Sequence, residues 1–252
     1  MLNLFIGLLA GLFGGLVGIG GGVVMIPLMV GVQKLTQHQA HGTSLVALVF
    51  TGLSGAATYF LNGSLDFVAG LLLAATASIT ARFGARSAHA LPEWQLKRAF
   101  GGFLLLVALL LIVKPYLAGL AHPATGGLKV LVLLGTGVFT GFVSGMMGVG
   151  GGTVMVPAMV LLAGFGQHTA QGTSLLAMVP AGAAGAYTHW RLGNVVFRVV
   201  PLLIPGILLG TYLGGTLANR LPDGTLRIVF ALLLVWTGVR NLRARAKQAA
   251  SS

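Results

Sequence analysis

Two glycine clusters carry the strongest chemical signal in the sequence. Residues 18–22 read GIGGG and residues 148–152 read GVGGG, and a proline follows each cluster, at Pro27 and Pro157. Consecutive glycines each destabilise a helix interior by about 1 kcal/mol, so each cluster predicts a helix that breaks and restarts. The restarted end exposes unpaired backbone N–H groups at the positive pole of the helix dipole. Two such ends facing each other would bind an oxyanion; close packing at a helix crossing is the alternative explanation.

A polar motif follows each glycine cluster. Gln-His and Gly-Thr-Ser recur within residues 37–44 and 167–174. Their hydroxyl and amide groups are suitable donors for an oxyanion, although Thr and Ser directly before an apolar helix also suit N-caps. We predict that the substrate contacts both copies. The predicted substrate-binding residues are Gly20, Gly21, Gly22, Gln37, Thr43, Ser44, Gly150, Gly151, Gly152, Gln167, Thr173 and Ser174.

Two histidines in these motifs, His38 and His168, are candidates for proton coupling. Histidine changes charge near pH 7, and the apolar stretches contain no carboxylate that would serve instead. A histidine at the membrane interface that only hydrogen-bonds to the backbone is the alternative. Among the positions where the copies differ, His41 corresponds to Gln171 and Tyr59 corresponds to His189.

Acidic residues are almost absent, which restricts the chemistry. The three in the chain, Asp66, Glu93 and Asp223, all lie in polar breaks between apolar stretches. Carboxylate proton relays and buried cation sites are therefore disfavoured, and an anionic substrate is favoured. The absence of cysteine, of HExxH and of a Walker motif predicts no metal site, no cofactor and no ATP hydrolysis. We predict that the protein is not an enzyme, because no carboxylate would orient a histidine beside Ser44.

The chain contains an internal duplication at an offset of 130 residues. Segments 18–45 and 148–175 are identical at 16 of 28 positions. We divide the chain into a first membrane repeat, residues 1–120, and a second, residues 121–252, within one integrated transmembrane domain. Matched hydrophobic segments interrupted by Gly and Pro in corresponding halves are typical of the binding site of a secondary transporter.

Composition indicates that these repeats lie in a lipid bilayer. The chain is 56% hydrophobic and 7% charged, with a mean hydropathy of +0.95, whereas soluble domains are about 25% charged. The net charge of +12 comes from basic residues at the ends of apolar runs, which indicates lipid headgroups rather than nucleic acid. Backbone groups must be satisfied in lipid, so we predict an all-α integral membrane protein with two repeats of about four helical segments. The apolar stretches are 2–32, 42–62, 65–90, 98–118, 128–163, 172–190, 195–219 and 225–242.

The first and fifth stretches are longer than the roughly 20 residues that a spanning helix needs. If both turn back as re-entrant hairpins, the repeats are inverted and eleven of the 15 basic residues share one side. If both are broken helices that cross the membrane, the basic residues divide almost evenly. The positive-inside rule favours the inverted arrangement, with both termini in the cytoplasm and the 119–127 loop outside.

The paired motifs GIGGG…P…GTSL and GVGGG…P…GTSL, in an apolar chain of this length, resemble the sulfite exporter TauE/SafE family. The resemblance covers essentially the whole chain. It implies a multi-pass protein of the bacterial inner membrane that carries out secondary transport of a small sulfur-containing anion, of the sulfite, sulfonate or sulfoacetate class. The family's glycine motif maps onto Gly18, Gly20, Gly21 and Gly22 and onto Gly148, Gly150, Gly151 and Gly152.

We therefore expect alternating access around a site at the bilayer midplane. The expected partners are the small anion and the lipid bilayer, and a homodimer remains open. A passive anion channel and a non-transporting membrane assembly partner are the alternative functions.

Overall fold

The computed structural model describes residues 1–87, 93–113 and 123–243, and every regular element in these ranges is an α-helix. The all-α fold class is thereby confirmed. Part of the 119–127 loop lies outside the described residues. The helices are α1 (Leu2–Val17), α2 (Gly22–Gly31), α3 (Gln37–Leu61), α4 (Phe67–Ser87), α5 (Glu93–Val113), α6 (Gly126–Met147), α7 (Gly152–Leu161), α8 (Gln167–Arg191), α9 (Val200–Arg220) and α10 (Asp223–Leu242).

Helices α1 and α2 form a hairpin whose tip is the first glycine cluster. Gly20 and Gly21 have φ angles of 88° and 77°, a left-handed conformation that residues with a Cβ atom rarely adopt. The chain reverses there. The Gln33 side chain, beyond the end of α2, donates a hydrogen bond to the Asn3 side chain at the start of α1, which shows that the two ends of the hairpin lie side by side. The first apolar stretch therefore turns back on itself.

Helices α6 and α7 form a second hairpin of the same kind. Its tip contains Gly148 and Gly150, with φ angles of 62° and 93°. The backbone N–H of Ala124, before α6, donates to the carbonyl oxygen of Leu162, after α7, at 2.8 Å. The fifth stretch thus also begins and ends at one end of the helix bundle.

Each hairpin packs along a helix of the opposite half. Helix α1 lies along α9, and α6 lies along α4. Glycines permit this close approach: a Cβ atom at Gly11 would lie 2.9 Å from the backbone nitrogen of Thr211, and one at the equivalent Gly141 would lie 2.6 Å from the Cα atom of Ala77. Small residues at such crossings are typical of helix packing in membranes.

The equivalent helices α3 and α8 cross in opposite directions. The position of a Cβ atom at Gly52 is 2.8 Å from the carbonyl oxygen of Leu175, near the start of α8. The corresponding position at Gly182, later in α8, is 3.5 Å from the carbonyl oxygen of Leu45, near the start of α3. Antiparallel equivalent helices are the relation that inverted repeats require.

Five helices in the described ranges are long and apolar enough to cross a membrane, namely α3, α4, α6, α9 and α10. Large apolar side chains such as Phe83, Leu131 and Trp236 are exposed on the outside of the bundle, as expected for a surface in contact with lipid. We call the end of the bundle where α3 begins and α10 ends the first face, and the opposite end the second face.

Candidate functional site

The two hairpin tips cross each other by direct backbone contact. A Cβ atom at Gly22, the first residue of α2, would lie 2.6 Å from the carbonyl oxygen of Gly148. One at Gly152, the first residue of α7, would collide with the carbonyl of Gly18 and lie 2.7 Å from the Cα atom of Ile19. Only glycine fits at either position. The same contacts show that the two breaks predicted from the sequence meet in the structure.

The crossing lies against the middle of α3 and α8. Leu48 and Met178 occupy equivalent positions in these helices, and both are buried. Gly20 packs on both side chains, with its Cβ position 2.8 Å from the Met178 Sδ atom. Gly150 packs on Ile19 and on Leu48. The crossing is therefore near the centre of the bundle along the helix axes.

One serine in each half contacts the hairpin tip of the other half. The Ser44 hydroxyl lies 2.7 Å from the carbonyl oxygen of Gly148, and the Ser174 hydroxyl lies 2.8 Å from that of Gly18. Each hydroxyl is also 2.8 Å from a carbonyl one turn earlier in its own helix. A hydroxyl has one proton, so it donates to one carbonyl at a time. These predicted substrate-binding serines hold the tips in this conformation.

Two threonines hold the loops that precede α4 and α9. Thr43 Oγ1 accepts a hydrogen bond from the backbone N–H of Val196 at 3.0 Å, and Thr173 Oγ1 accepts one from Asp66 at 2.9 Å. Both threonines are fully buried. In these bonds the oxygen accepts, so each hydroxyl proton remains available to another acceptor. Their predicted contact with substrate stays a prediction.

The restarted helices point their N-terminal ends into the crossing. In the first backbone hydrogen bond of α2, the N–H of Val24 donates to the carbonyl oxygen of Gly21 at 3.1 Å. In that of α7, the N–H of Val154 donates to the carbonyl oxygen of Gly151 at 3.1 Å. The N–H groups before these residues have no acceptor within their own helix, as at any helix N-terminus. In the part of the chain that the structure describes, the buried Thr153 hydroxyl beside them also has no partner.

Two small cavities flank the crossing. The central cavity, of ≈ 10 Å³, is lined by Gly151 together with Thr140 and Ser144 of α6. The first-face cavity, of ≈ 20 Å³, is lined by Gly22, Val23, Ile26, Gln37, His41, Met147, Val149, Thr237, Arg240 and Asn241. About 10–15 Å³ is the space that one water molecule requires. In this conformation neither cavity has room for a sulfur oxyanion.

The two predicted glutamines occupy equivalent positions in different surroundings. The Gln37 side chain lines the first-face cavity, with its Nε2 atom 3.2 Å from Nε2 of His41. Gln167 is 3% exposed, and neither polar atom of its side chain has a hydrogen-bond partner among the described residues. Burying an amide without partners destabilises a protein by about 1–3 kcal/mol, which is consistent with a group that acquires its partner in another state.

The two predicted proton-coupling histidines are not at the crossing. His38 is half-buried in the first turn of α3. His168 contacts the carboxylate of Asp223 through its Nδ1 atom at the second face, and its Nε2 atom lies 3.0 Å from the carbonyl oxygen of Ala218. No group of three His, Cys, Asp or Glu residues in the described ranges is placed to hold a metal ion.

One departure from sequence symmetry, Tyr59 in the first repeat and His189 in the second, falls at equivalent contacts in the two halves. The Tyr59 hydroxyl lies 2.9 Å from the carbonyl oxygen of Gly15 and 2.8 Å from Oε1 of Gln171. In the other half, Nε2 of the buried His189 lies 3.0 Å from the carbonyl oxygen of Gly145, the equivalent of Gly15. The first repeat thus has a tyrosine where the second has a histidine, against the same point of a hairpin helix.

Arg240 is a cavity residue that the sequence pattern does not single out. It follows an apolar run and precedes further basic residues, so by sequence it groups with the charged tail. In the structure it lies in the last turn of α10, its guanidinium 5.4 Å from the centre of the Trp236 ring. Its side chain lines the first-face cavity with Asn241. Only the packing of α10 against the first hairpin reveals this position.

The chain is similar to known membrane proteins over most of its length. The family model described as Sulfite exporter TauE/SafE matches residues 3–241. The probable membrane transporter protein YunE of Bacillus subtilis (strain 168) is 28% identical over 255 residues, covering 92% of this chain and 93% of YunE. The probable membrane transporter protein YdhB of the same organism is 26% identical, covering 90% of this chain and 94% of YdhB.

A plant protein is similar over a shorter segment. Sulfite exporter TauE/SafE family protein 5 of Arabidopsis thaliana is 27% identical over 107 residues, covering 42% of this chain and 24% of the plant protein. No solved structure is significantly similar to the chain. The match of the family model over nearly the whole chain, on an apolar helical fold with two crossed glycine hairpins, shows that the chain belongs to the sulfite exporter TauE/SafE family of membrane transporters.

Proposed function

We propose that the protein is a secondary transporter of a small sulfur oxyanion, such as sulfite, a sulfonate or sulfoacetate, and that the anion binds where the two hairpin tips cross. One observation carries the proposal: α2 and α7 begin at the same crossing, one from each half. Their N-terminal N–H groups and helix dipoles favour an anion there. The name of the matching family, sulfite exporter, supports sulfite as the representative substrate.

Backbone donors suit a transporter because they bind an anion without holding it permanently. A hydrogen bond to a charged group contributes about 1.5–3 kcal/mol, so a few such bonds give an affinity that still allows release. Thr43 and Thr173, with their available hydroxyl protons, and the buried Gln167 amide are the side chains that we propose to complete the site as the tips separate.

The closed crossing supports alternating access. Neither flanking cavity is wide enough for the anion, so the substrate requires movement of a hairpin relative to the helices that clamp it. The Ser44 and Ser174 contacts are suitable points of release, because each serine also lies within hydrogen-bond distance of a carbonyl in its own helix. We propose that inverted repeats alternate in opening, with the first face and both termini in the cytoplasm of a bacterial cell and the protein in the inner membrane.

We propose His38 and His168 as the proton-coupling residues. His168 is the more informative, because its Nδ1 atom lies against the carboxylate of Asp223 and its Nε2 atom against the carbonyl oxygen of Ala218. Flux driven by an imposed pH gradient, compared between the wild type and His168→Gln, tests this role; unchanged gradient dependence would exclude His168.

The function is tested by flux into liposomes that contain the purified protein. Sulfite, taurine-like sulfonates, sulfoacetate, thiosulfate, sulfate and chloride are each supplied outside, with and without a pH gradient. We expect saturable uptake of at least one sulfur oxyanion, with competition among the members of its class. Uptake that never saturates and includes chloride would identify a passive channel. Protein-independent flux for every anion would favour a non-transporting assembly partner.

A further inference from the structure

We infer that the first-face cavity, once widened by the hairpin movement that the substrate requires, is a loading site for the oxyanion on one side of the membrane, with Arg240 and Asn241 as the residues that bind the anion. This inference rests on the proposed function, since it assigns the substrate of that transporter a second position. The cavity lies between the end of α10, the start of α3 and the first turn of α2. An anion held there is adjacent to the N-terminal N–H groups of Gly22 and Val23. The cavity therefore borders the crossing, where Gly22 lies.

The cavity is lined by donors that suit an anion. Asn241 is 7% exposed, and its side chain lines the cavity. Arg240 forms no ion pair with any described carboxylate, and its guanidinium contacts the Trp236 ring instead. The nearby Thr237 hydroxyl donates to the carbonyl oxygen of Leu233 at 2.8 Å. A cation and an amide thus line the cavity together, and both suit an oxyanion.

Arginine gives this site a property that the crossing lacks. Its planar guanidinium matches two oxygens of a sulfite or sulfonate group at once. A permanent charge near the end of a span also attracts anions from solution before they reach the neutral backbone site. The cavity therefore selects for a small anion with at least two oxygen atoms on one centre, and against chloride.

The site has no counterpart in the other half. At the offset of 130 residues, Thr237, Arg240 and Asn241 correspond to Val107, Leu110 and Leu111. Of these, Val107 and Leu111 are buried in the apolar core. The equivalent positions of the other half therefore lack the charged side chain, and the two directions of transport should have different apparent affinities.

Binding to the purified protein tests the site separately from transport. Trp236 reports on the cavity when Trp94 and Trp190 are replaced by phenylalanine. Fluorescence is titrated with sulfite, sulfate and chloride in a zwitterionic detergent, and the rise in unfolding temperature with sulfite gives a second readout. We expect Arg240→Gln and Asn241→Leu to weaken sulfite binding about tenfold or more, and Arg240→Lys, which keeps the charge but loses the planar fork, to weaken it less than Arg240→Gln does. The matched control is Arg243→Gln, at an exposed position one turn away, which should bind as the parent does.

Three outcomes of these binding and flux measurements distinguish an anion-loading site from a site without a role in binding and from a lipid-headgroup site. If Arg240→Gln binds sulfite as tightly as Arg243→Gln, the loading site is refuted, even where the wild type transports sulfite. If binding depends on Arg240 but liposomes show no flux, the transport proposal fails while the anion site stands. If Arg240 matters only in bilayers that contain phosphatidylglycerol, and sulfite affinity in detergent is unchanged, the residue binds a lipid headgroup and the inference is overturned.

Discussion

The equivalent glycines Gly21 and Gly151 should respond differently to alanine. By sequence they occupy the same place in the two copies of one motif. In the structure Gly21 has a φ angle of 77°, whereas Gly151 has a φ angle of −80°. A Cβ atom at Gly21 would collide with the backbone carbonyl of Ala10; one at Gly151 would meet the side chains of Thr140 and Met155 at 2.7 and 3.2 Å.

The magnitudes follow from these surroundings. A left-handed conformation destabilises a residue with a Cβ atom by about 1–2 kcal/mol, and collision with a fixed backbone adds about 1–3 kcal/mol. Gly21→Ala should therefore lower the free energy of unfolding by roughly 2–5 kcal/mol. Gly151→Ala keeps an allowed φ angle and meets side-chain atoms rather than a fixed backbone, although the β-branched Thr140 is stiff, so its loss should be smaller, about 1–2 kcal/mol.

Thermal unfolding in detergent, followed by loss of the monodisperse peak on size exclusion, measures the difference. Gly21→Ala should unfold several degrees below Gly151→Ala. The control is Gly135→Ala in α6, where a Cβ atom meets nothing within 4 Å and alanine favours the helix by about 1 kcal/mol. Equal losses at Gly21 and Gly151, or a larger loss at Gly151, would refute the structural reasoning.

Two further predictions concern the serines that contact the hairpin tips and the membrane topology of the hairpins. Ser44→Ala and Ser174→Ala should each destabilise the protein by about 1–3 kcal/mol, because a buried tip carbonyl loses its donor. Thermal unfolding measures this loss, and unchanged stability would show that the two serine contacts are dispensable. In this chain without cysteine, Val32→Cys and Arg243→Cys should react with an impermeant maleimide only after cells are opened, whereas Thr125→Cys should react in intact cells. Labelling of Val32→Cys from outside would mean that the first stretch crosses the membrane.

The hairpins and their meeting point could be predicted from the sequence because few structures are open to such residues in lipid. Glycine triplets interrupt a helix, a proline follows, and the backbone must still be satisfied. The duplication then places two such breaks in equivalent positions. Gly20 and Gly150, which are among the predicted substrate-binding residues, pack against the buried Leu48, and their contact with substrate stays a prediction.

The partners of the polar side chains could not be predicted, because they depend on how distant helices align. Ser44 and Ser174 were predicted as donors to substrate, yet each lies against a tip carbonyl more than 100 residues away. Arg240 belongs to a basic tail by sequence and to a cavity by packing. No local pattern encodes that α10 ends beside the first turn of α2, since this depends on the register between the halves.

The most direct test of the central claim is the position of a bound anion. Selenite has the shape and charge of sulfite, and its selenium atom can be located by anomalous diffraction; the absence of cysteine avoids its reaction with thiols. Crystals grown at selenite concentrations that compete with sulfite transport should show an anomalous peak within hydrogen-bond distance of the first N–H groups of α2 or α7, between the two tips. A peak found only on the lipid-facing surface, or no peak under conditions where selenite blocks transport, would contradict the proposal that the crossed hairpins bind the anion.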